Sequence, residues 1–186
     1  MEEYRKTDKN DIDDIMRNYS EYLNSGEYID GLIRQASDDG MVIGNKVLVD
    51  GKTAGYLTFQ KRILFTYPHP REYDEVMKVL DGRNAYTIDS LMIFPEYRKR
   101  GIARRLVQKG REDLLESGID LVMVEIWMLP DGTMPARKIY EEMGETIYSK
   151  TVKDFYRDLH KYGIKCPVCG TKCRCGAMIN LMDISK

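Results

Sequence analysis

Residues 88–110, IDSLMIFPEYRKRGIARRLVQKG, join an apolar run, a basic loop and an amphipathic segment. The apolar run predicts a β-strand that Pro95 ends, and the spacing of apolar residues after Gly101 predicts a helix. Five basic residues lie between Arg98 and Arg105. The first turn of a helix has unpaired N–H groups and a positive dipole end, and a glycine lets a ligand approach closely. The stretch therefore predicts an anion-binding helix start, and the alternative is a solvated basic helix face.

The rest of the chain alternates between strand and helix patterns. Strands are predicted at 2–6, in a hairpin around Asp50-Gly51, at 85–94 and at 120–129, with one or two more at 145–159. Helices are predicted at 11–22, 28–37, 71–80, 101–116 and 135–143. This alternation predicts a mixed α/β sheet.

Composition excludes several classes of protein. The 186 residues suit one sizeable core, and 29 basic against 30 acidic side chains argue against general nucleic-acid binding. We expect no membrane association, because no apolar run approaches the roughly 20 residues that span a bilayer. The N-terminal segment has no apolar stretch of the kind found in secretory signals, so a cytoplasmic location is expected.

Four cysteines lie close together near the C-terminus, at Cys166, Cys169, Cys173 and Cys175. Their spacing, C-x2-C-x3-C-x-C, begins like a zinc knuckle and predicts a closed, structural zinc site. A disulfide pair, an iron–sulfur site and free thiols are the alternatives. We therefore divide the sequence into a main domain, residues 1–160, and a cysteine-rich tail, residues 161–186. The basic tail suggests a second hypothesis, that it docks a partner or a nucleic acid.

The opening stretch resembles the strand-to-helix signature of the GNAT-type N-acetyltransferases. Its acetyl-CoA pattern, R-x-x-G-x-A, has its counterparts at Arg98, Gly101 and Ala103. The segments YRKTDKNDIDDIMRNY, VLVDGKTAGYLTF and LVMVEIWMLPDGTMPARKIYEEMG are similar to further parts of the family, in its order, over about residues 3–158. The resemblance implies an α/β fold with a mixed, largely antiparallel sheet flanked by helices. It implies a homodimer only as one plausible arrangement, and it says nothing about the tail.

The resemblance also implies an activity. We expect transfer of acetyl from acetyl-CoA to a primary amine of a small molecule or protein by direct attack. The alternative is a non-catalytic module that binds acyl-CoA or docks a partner through its cysteine tail. The expected cofactor-binding residues lie on the strand end and in the basic loop: Leu91, Met92, Ile93, Arg98, Lys99, Arg100, Gly101, Ile102, Ala103 and Arg104.

Three residues are candidates for proton transfer. Tyr140 stands where the family often has a general acid, and the alternative is a half-buried helix tyrosine. Glu125 is the one charged residue in LVMVEIWML, where some family members carry a base. The alternatives are an acid at the solvent-facing end of the strand and a structural ion pair. Asp89 is a second candidate base. His69, in a proline-bounded loop, is predicted at the surface rather than in the acceptor pocket. Thr133 stands near the place of a frequent cofactor-binding Asn, which puts that contact in doubt.

Overall fold

The computed structural model describes residues 1–23 and 42–186. The predicted helix at 28–37 lies outside the described residues. The strands are β1 (Glu2–Lys6), β2 (Val42–Val49), β3 (Lys52–Gln60), β4 (Tyr86–Ile93), β5 (Leu121–Met128), β6 (Glu145–Val152) and β7 (Gly176–Asp183). The α-helices are α1 (Ile12–Leu23), α2 (Pro70–Leu80), α3 (Ile102–Glu116) and α4 (Arg137–Tyr140). None of the helices in this described part is long and apolar enough to cross a membrane.

The seven strands form one sheet in the order β1-β2-β3-β4-β5-β7-β6. Only β4 and β5 run parallel, and the other neighbouring pairs are antiparallel. The predicted hairpin is confirmed: Asp50 and Gly51 have φ angles of +50° and +78°, as a two-residue turn of this kind requires. The mixed, largely antiparallel α/β fold expected from the sequence is confirmed.

The sheet has two covered faces. The helix face carries α3 and α4, and its core contains Leu57, Phe59, Ile88, Val122, Val124, Ile126, Ile102, Leu106 and Tyr140. The cysteine face carries α2 and the segment after β6, and its core contains Val76, Leu80, Leu121, Met123, Phe155, Tyr156, Cys166, Cys173 and Cys175. Because side chains alternate along a strand, successive residues of β5 belong to different faces.

The C-terminal strand differs most from expectation. Residues 176–183, which the sequence analysis left inside the cysteine-rich tail without a strand, form β7 between β5 and β6. Seven of its eight residues are buried, because a central strand has neighbours on both edges and cores on both faces. The cysteine segment is therefore the connection from β6 into a central strand. Helix α4 is also shorter than the predicted 135–143, with a single turn at Arg137–Tyr140.

Candidate functional site

The parallel strands β4 and β5 separate halfway along their length. They pair at Tyr86 with Val122, Thr87 with Met123 and Ile88 with Val124, and no later pair joins them among the described residues. Strand β4 continues to pair with β3 up to Ile93, and β5 continues to pair with β7 up to Met128. A cleft therefore opens in the middle of the sheet towards the carboxyl ends of both strands.

A β-bulge lies where the cleft begins. Thr58 of β3 is opposite Ser90, whereas Phe59 is opposite Ile88, so Asp89 is the extra residue of β4. A bulge re-aims the side chains beside it and frees backbone groups from the ladder. The Thr58 hydroxyl donates a hydrogen bond to Oδ2 of Asp89 at 3.1 Å. The bulge therefore holds one carboxylate of β4 at the point where the two strands part.

The predicted cofactor residues of β4 lie along this cleft. Met92 is 6% exposed and contributes to a small core with α1, whereas Leu91 and Ile93 pack against the core of the helix face. These side chains are structural, so any contact of this strand end with a cofactor falls to its backbone. An extended ligand can add to an open strand edge through backbone hydrogen bonds, as an extra strand would. The second half of β4 offers such an edge to the cleft.

The basic loop follows β4 directly and ends at Gly101. Gly101 caps α3 with φ of +74°, and its carbonyl accepts the hydrogen bond of the Arg105 N–H. The N–H groups of Ile102, Ala103 and Arg104 come before the first hydrogen bond of the helix, so they have no acceptor within it. They point out of the helix start, where a ligand can accept their hydrogen bonds. A Cβ at position 101 would lie 2.9 Å from Nη1 of Arg105. The absence of a side chain at Gly101 thus leaves room for the Arg105 guanidinium beside the start of α3.

Several basic side chains hold the loop itself. Nε of Arg98 donates to the carbonyl of Ile93 at 2.9 Å, and Nη2 of Arg100 donates to the carbonyl of Glu96 at 2.8 Å. Arg104 pairs with Glu142 at 2.7 Å.

Arg105, just after the loop, pairs with Glu2 at 2.7 Å and also donates to the carbonyl of Arg100 at 2.9 Å. The cluster therefore has two roles, since it fixes the loop conformation and makes the surface around Gly101 positive. Lys99 has φ of +60° and is exposed at the turn.

Tyr140 lies on the helix face, at the end of α4. The residue is 8% exposed and packs in the same core as Val124 and Ile126. Burial, together with the negative charge of Asp89, raises the pKa of the Tyr140 phenol above its usual value. The phenol therefore keeps its proton at neutral pH, which a general acid requires.

Glu125 lies on the opposite face of β5. Its Oε1 accepts hydrogen bonds from the Thr66 hydroxyl at 2.6 Å and from the Tyr156 phenol at 2.5 Å. Its Oε2 accepts the Thr66 N–H at 3.2 Å. Burial raises the pKa of the Glu125 carboxyl; the bonds from Thr66 and Tyr156 oppose the rise, and the charge of Asp89 adds to it. A carboxylate with a raised pKa is a better base near neutral pH.

Asp89 connects these two groups electrostatically. Its charge raises the pKa of Tyr140 on the helix face and of Glu125 on the cysteine face. Asp89 and Glu125 thus directly follow the last pair that joins β4 and β5, and Tyr140 lies near enough to feel the charge of Asp89. Tyr140 and the Gly101 loop lie on the face of α3, whereas Glu125 lies on the other face.

Sequence reasoning missed Thr66 and Tyr156. Thr66 lies in an irregular loop after β3, and Tyr156 lies in a turn after β6. Neither stands in a motif, and Tyr156 is one of thirteen tyrosines. Only the fold brings these distant segments to Glu125.

The prediction of a surface histidine was wrong. The His69 side chain is 14% exposed and its ring stacks on Phe155, with centroids 3.6 Å apart and an interplanar angle of 11°. Tyr67 lies beside it at 4.2 Å. Burial lowers the pKa of His69 below its usual value, although the charges of Glu72 and Asp158 oppose this. His69 therefore belongs to the aromatic core of the cysteine face.

The four cysteines converge on one point. Their sulfur atoms all lie within 4.8 Å of one another, and all four are free thiols. Sγ of Cys175 lies 3.8 Å from Sγ of Cys166 and 3.7 Å from Sγ of Cys169. A tetrahedral zinc ion with Zn–S bonds of about 2.3 Å separates its sulfurs by about 3.8 Å, whereas a disulfide needs about 2.05 Å. The cluster therefore fits a tetrahedral metal ion.

Backbone hydrogen bonds hold the cluster at both ends. A turn with paired backbone bonds links Cys166 to Gly170, at 3.1 and 2.9 Å. At the other end, Cys175 precedes β7 and its carbonyl accepts the N–H of Tyr156 at 3.2 Å. The cluster thus lies next to the segment that holds Glu125.

Comparisons with known proteins agree with this geometry. A sequence model described as the acetyltransferase (GNAT) family matches residues 10–144. A search of curated proteins found no match to the chain. The structure of the ribosomal-protein-S18-alanine N-acetyltransferase from Escherichia coli has a TM-score of 0.65 at 15% identity, covering 100% of this chain and 96% of the other. Arabidopsis thaliana NAA60 in complex with acetyl-CoA has a TM-score of 0.65 at 14% identity, with both chains covered completely at 100%. An N-acetyltransferase from Staphylococcus aureus Mu50 has a TM-score of 0.62 at 11% identity, with 99% of each chain covered.

Proposed function

The chain belongs to the GNAT acetyltransferase family, and on that premise we propose that it transfers acetyl from acetyl-CoA to a primary amine by direct attack. The observation that carries this proposal is the cleft between β4 and β5. Tyr140 packs in the core of the helix face, on which α3 begins at Gly101, whereas Glu125 bonds to Thr66 and Tyr156 on the other face, which supports the proposal. Such a cleft lets two substrates meet from opposite sides.

The cofactor would enter from the helix face. The amides at the start of α3, with Arg98, Lys99 and Arg100 around them, suit the pyrophosphate of coenzyme A. From there the pantetheine arm would follow the cleft side of Leu91, Met92 and Ile93, and the thioester would reach the bulge at Asp89. A backbone N–H of this edge would stabilise the oxyanion that develops on the thioester oxygen.

The amine would enter from the cysteine face. Glu125 takes one proton from the ammonium group, directly or through a water molecule, and the freed nitrogen lone pair attacks the thioester carbon. The C–N bond forms, and the C–S bond breaks with its electron pair leaving on sulfur. The nitrogen then releases a second proton to solvent, which leaves a neutral amide. A base on the acceptor side and an acid on the thiol side match this direction of transfer.

Tyr140 would give its proton to the leaving sulfur. Burial raises the pKa of the phenol. The same burial destabilises a thiolate, so the pKa of the leaving thiol rises together with that of Tyr140. Asp89 keeps Tyr140 protonated until the sulfur becomes negative. The second candidate base, Asp89 itself, is thereby assigned an electrostatic role in this proposal.

We further propose that Cys166, Cys169, Cys173 and Cys175 hold one structural zinc ion. The separations of the sulfur atoms support it. Four protein ligands leave no open coordination position, so the ion would fix the connection between β6 and β7 and take no part in the transfer. Reduced, metal-ligating thiols suit a cytoplasmic location. A homodimer stays a prediction of the resemblance.

The test begins with calorimetric titration of acetyl-CoA into the purified protein. We expect saturable binding that Arg98→Ala and Gly101→Glu weaken and that Arg71→Ala, an exposed arginine on α2, leaves unchanged. An amine panel follows, with peptide N-termini, lysine peptides, polyamines, amino acids and aminoglycosides, read by thiol release and the mass of the product. Turnover lost in Glu125→Gln supports the transferase.

Two other results would favour the rival functions. Normal acetyl-CoA binding without turnover on any amine would indicate a non-catalytic acyl-CoA-binding module. Salt-dependent nucleic-acid binding that is lost when the basic side chains of residues 161–175 are neutralised would favour the nucleic-acid hypothesis.

A further inference from the structure

Tyr156 contacts both Glu125 and the cysteine segment. Its phenol donates to Oε1 of Glu125 at 2.5 Å, and its backbone N–H donates to the carbonyl of Cys175 at 3.2 Å. The residue is 7% exposed, and its ring packs edge-on against Phe155 at 5.1 Å. A single buried residue thus links the proposed base to the end of the cysteine cluster.

The hydrogen bonds at Glu125 leave a defined vacancy. A carboxylate has about four acceptor positions, two on each oxygen. Oε1 accepts from Tyr156 and from the Thr66 hydroxyl, so both of its positions are used. Oε2 accepts from the Thr66 N–H, which leaves it one position for an incoming donor. The ammonium proton would therefore be received by Oε2.

We propose that Tyr156 is a positioning residue of the acetyl transfer: it occupies Oε1 of Glu125 so that Oε2 faces the amine, and the cysteine cluster holds it in place through the Cys175 carbonyl. This inference rests on the proposed function. It assigns a role to the metal site, since an ordered cluster keeps Cys175 at the start of β7 and so keeps Tyr156 under Glu125.

Loss of the Tyr156 phenol should change the pH dependence of the acetyl transfer. The groups around Glu125 are Asp89 from β4, Thr66 and Tyr67 from the loop after β3, and Tyr156. The bond from Tyr156 lowers the pKa of Glu125, so its removal raises that pKa. The base is then ionised only at higher pH. We expect the acid limb of kcat/KM to move up by about one pH unit in Tyr156→Phe.

The experiment compares wild type with Tyr156→Phe, which keeps the ring but loses the hydroxyl. The pH profile of kcat/KM is measured with an amine found active for the wild type. The titration of Glu125 is followed separately by carboxyl ¹³C NMR, with Glu125→Gln identifying its resonance. Tyr148→Phe is the matched control, because its phenol bonds to Glu75. We expect both readouts to move upward only in Tyr156→Phe, with the KM for acetyl-CoA unchanged.

A metal arm tests the second half of the proposal. Wild-type protein treated with a strong zinc chelator keeps the Tyr156 phenol, yet its Glu125 titration should shift in the same direction. An unchanged titration there would overturn the part assigned to the cluster.

The remaining outcomes separate the two proposals. An active wild type whose acid limb and carboxyl titration do not move in Tyr156→Phe overturns the positioning role alone. A wild type that acetylates no amine overturns the proposed function and the role of Tyr156 with it.

Discussion

Ile88 of β4 and Val124 of β5 are the last residue pair that joins the two parallel strands. The next residue of β4 is the bulged Asp89, and the next residue of β5 is Glu125. Both carboxylates therefore lie where the two strands begin to separate. Neighbouring carboxylates repel one another, and the charge of Asp89 indeed contributes to the raised pKa of Glu125. The end of one parallel ladder thus places two acidic groups at a single opening.

Gly101→Ala should weaken acetyl-CoA binding. An alanine at φ of +74° is strained, and its Cβ would lie 2.9 Å from Nη1 of Arg105, so the substitution disturbs the turn that leads into α3. We expect about a tenfold rise in Kd. Gly118→Ala is the control, because its φ is +75° and its Cβ would meet nothing within 4 Å. Both variants should lose about 1 kcal/mol of unfolding free energy. Equal Kd values in the two variants would contradict a phosphate site at Gly101.

Tyr140→Phe should lower kcat while the protein keeps its fold. Loss of a general acid costs about 100-fold or more in rate, whereas the ring still fills the same core. Thiol release under saturating substrates measures kcat, and Tyr148→Phe serves as the control. The raised pKa of Tyr140 also predicts no descending limb from this group below about pH 10. Unchanged kcat in Tyr140→Phe would exclude the assigned role.

Metal removal should loosen the C-terminal half of the sheet. Elemental analysis should give one zinc per chain, and chelation should lower the thermal midpoint by about 5 °C or more. Hydrogen exchange should rise in β7, which follows Cys175 directly, while α3 gives an internal control on the other face. Protein without stoichiometric metal that keeps the same midpoint in chelator would argue against a structural ion.

Glu75→Gln should flatten the acid side of the stability profile. Nζ of Lys150 lies 2.6 Å from Oε2 of Glu75, and the Tyr148 phenol donates to the same oxygen at 3.0 Å. These bonds, that of Lys150 first, lower the pKa of Glu75 from 4.5 to about 2. A lowered pKa adds stability above the ordinary value, and that stability is lost as pH falls from 4.5 towards 2.

Thermal melts between pH 7 and pH 2 measure this effect. Wild type should lose more stability than Glu75→Gln over the acid range, and Glu116→Gln, at the exposed end of α3, should follow wild type. If stability falls with pH by the same amount in wild type and Glu75→Gln, protonation of Glu75 does not weaken the bonds between α2 and β6.

The sequence by itself determined the local structure and the loop chemistry. Alternating and helical patterns predicted β1 to β6, α1, α2 and α3, because side-chain period and turn residues are local properties. The run from Arg98 to Gly101 indicated an anion site for the same reason. The four cysteines were visible as a set because they lie within ten residues.

Tertiary structure decided what depends on distant neighbours. β7 lies between β5 and β6 because its apolar residues fill the cores on both faces of the sheet. No local pattern near the cysteines predicted this strand. Glu125 and Tyr140 were found in the sequence, yet only the tertiary structure puts Tyr140 in the core of the helix face and Glu125 on the opposite face of the sheet. Tyr156 meets Glu125 across 31 positions of sequence. Such contacts follow from the packing of whole elements. The local sequence pattern around either residue does not predict a hydrogen bond to a remote segment.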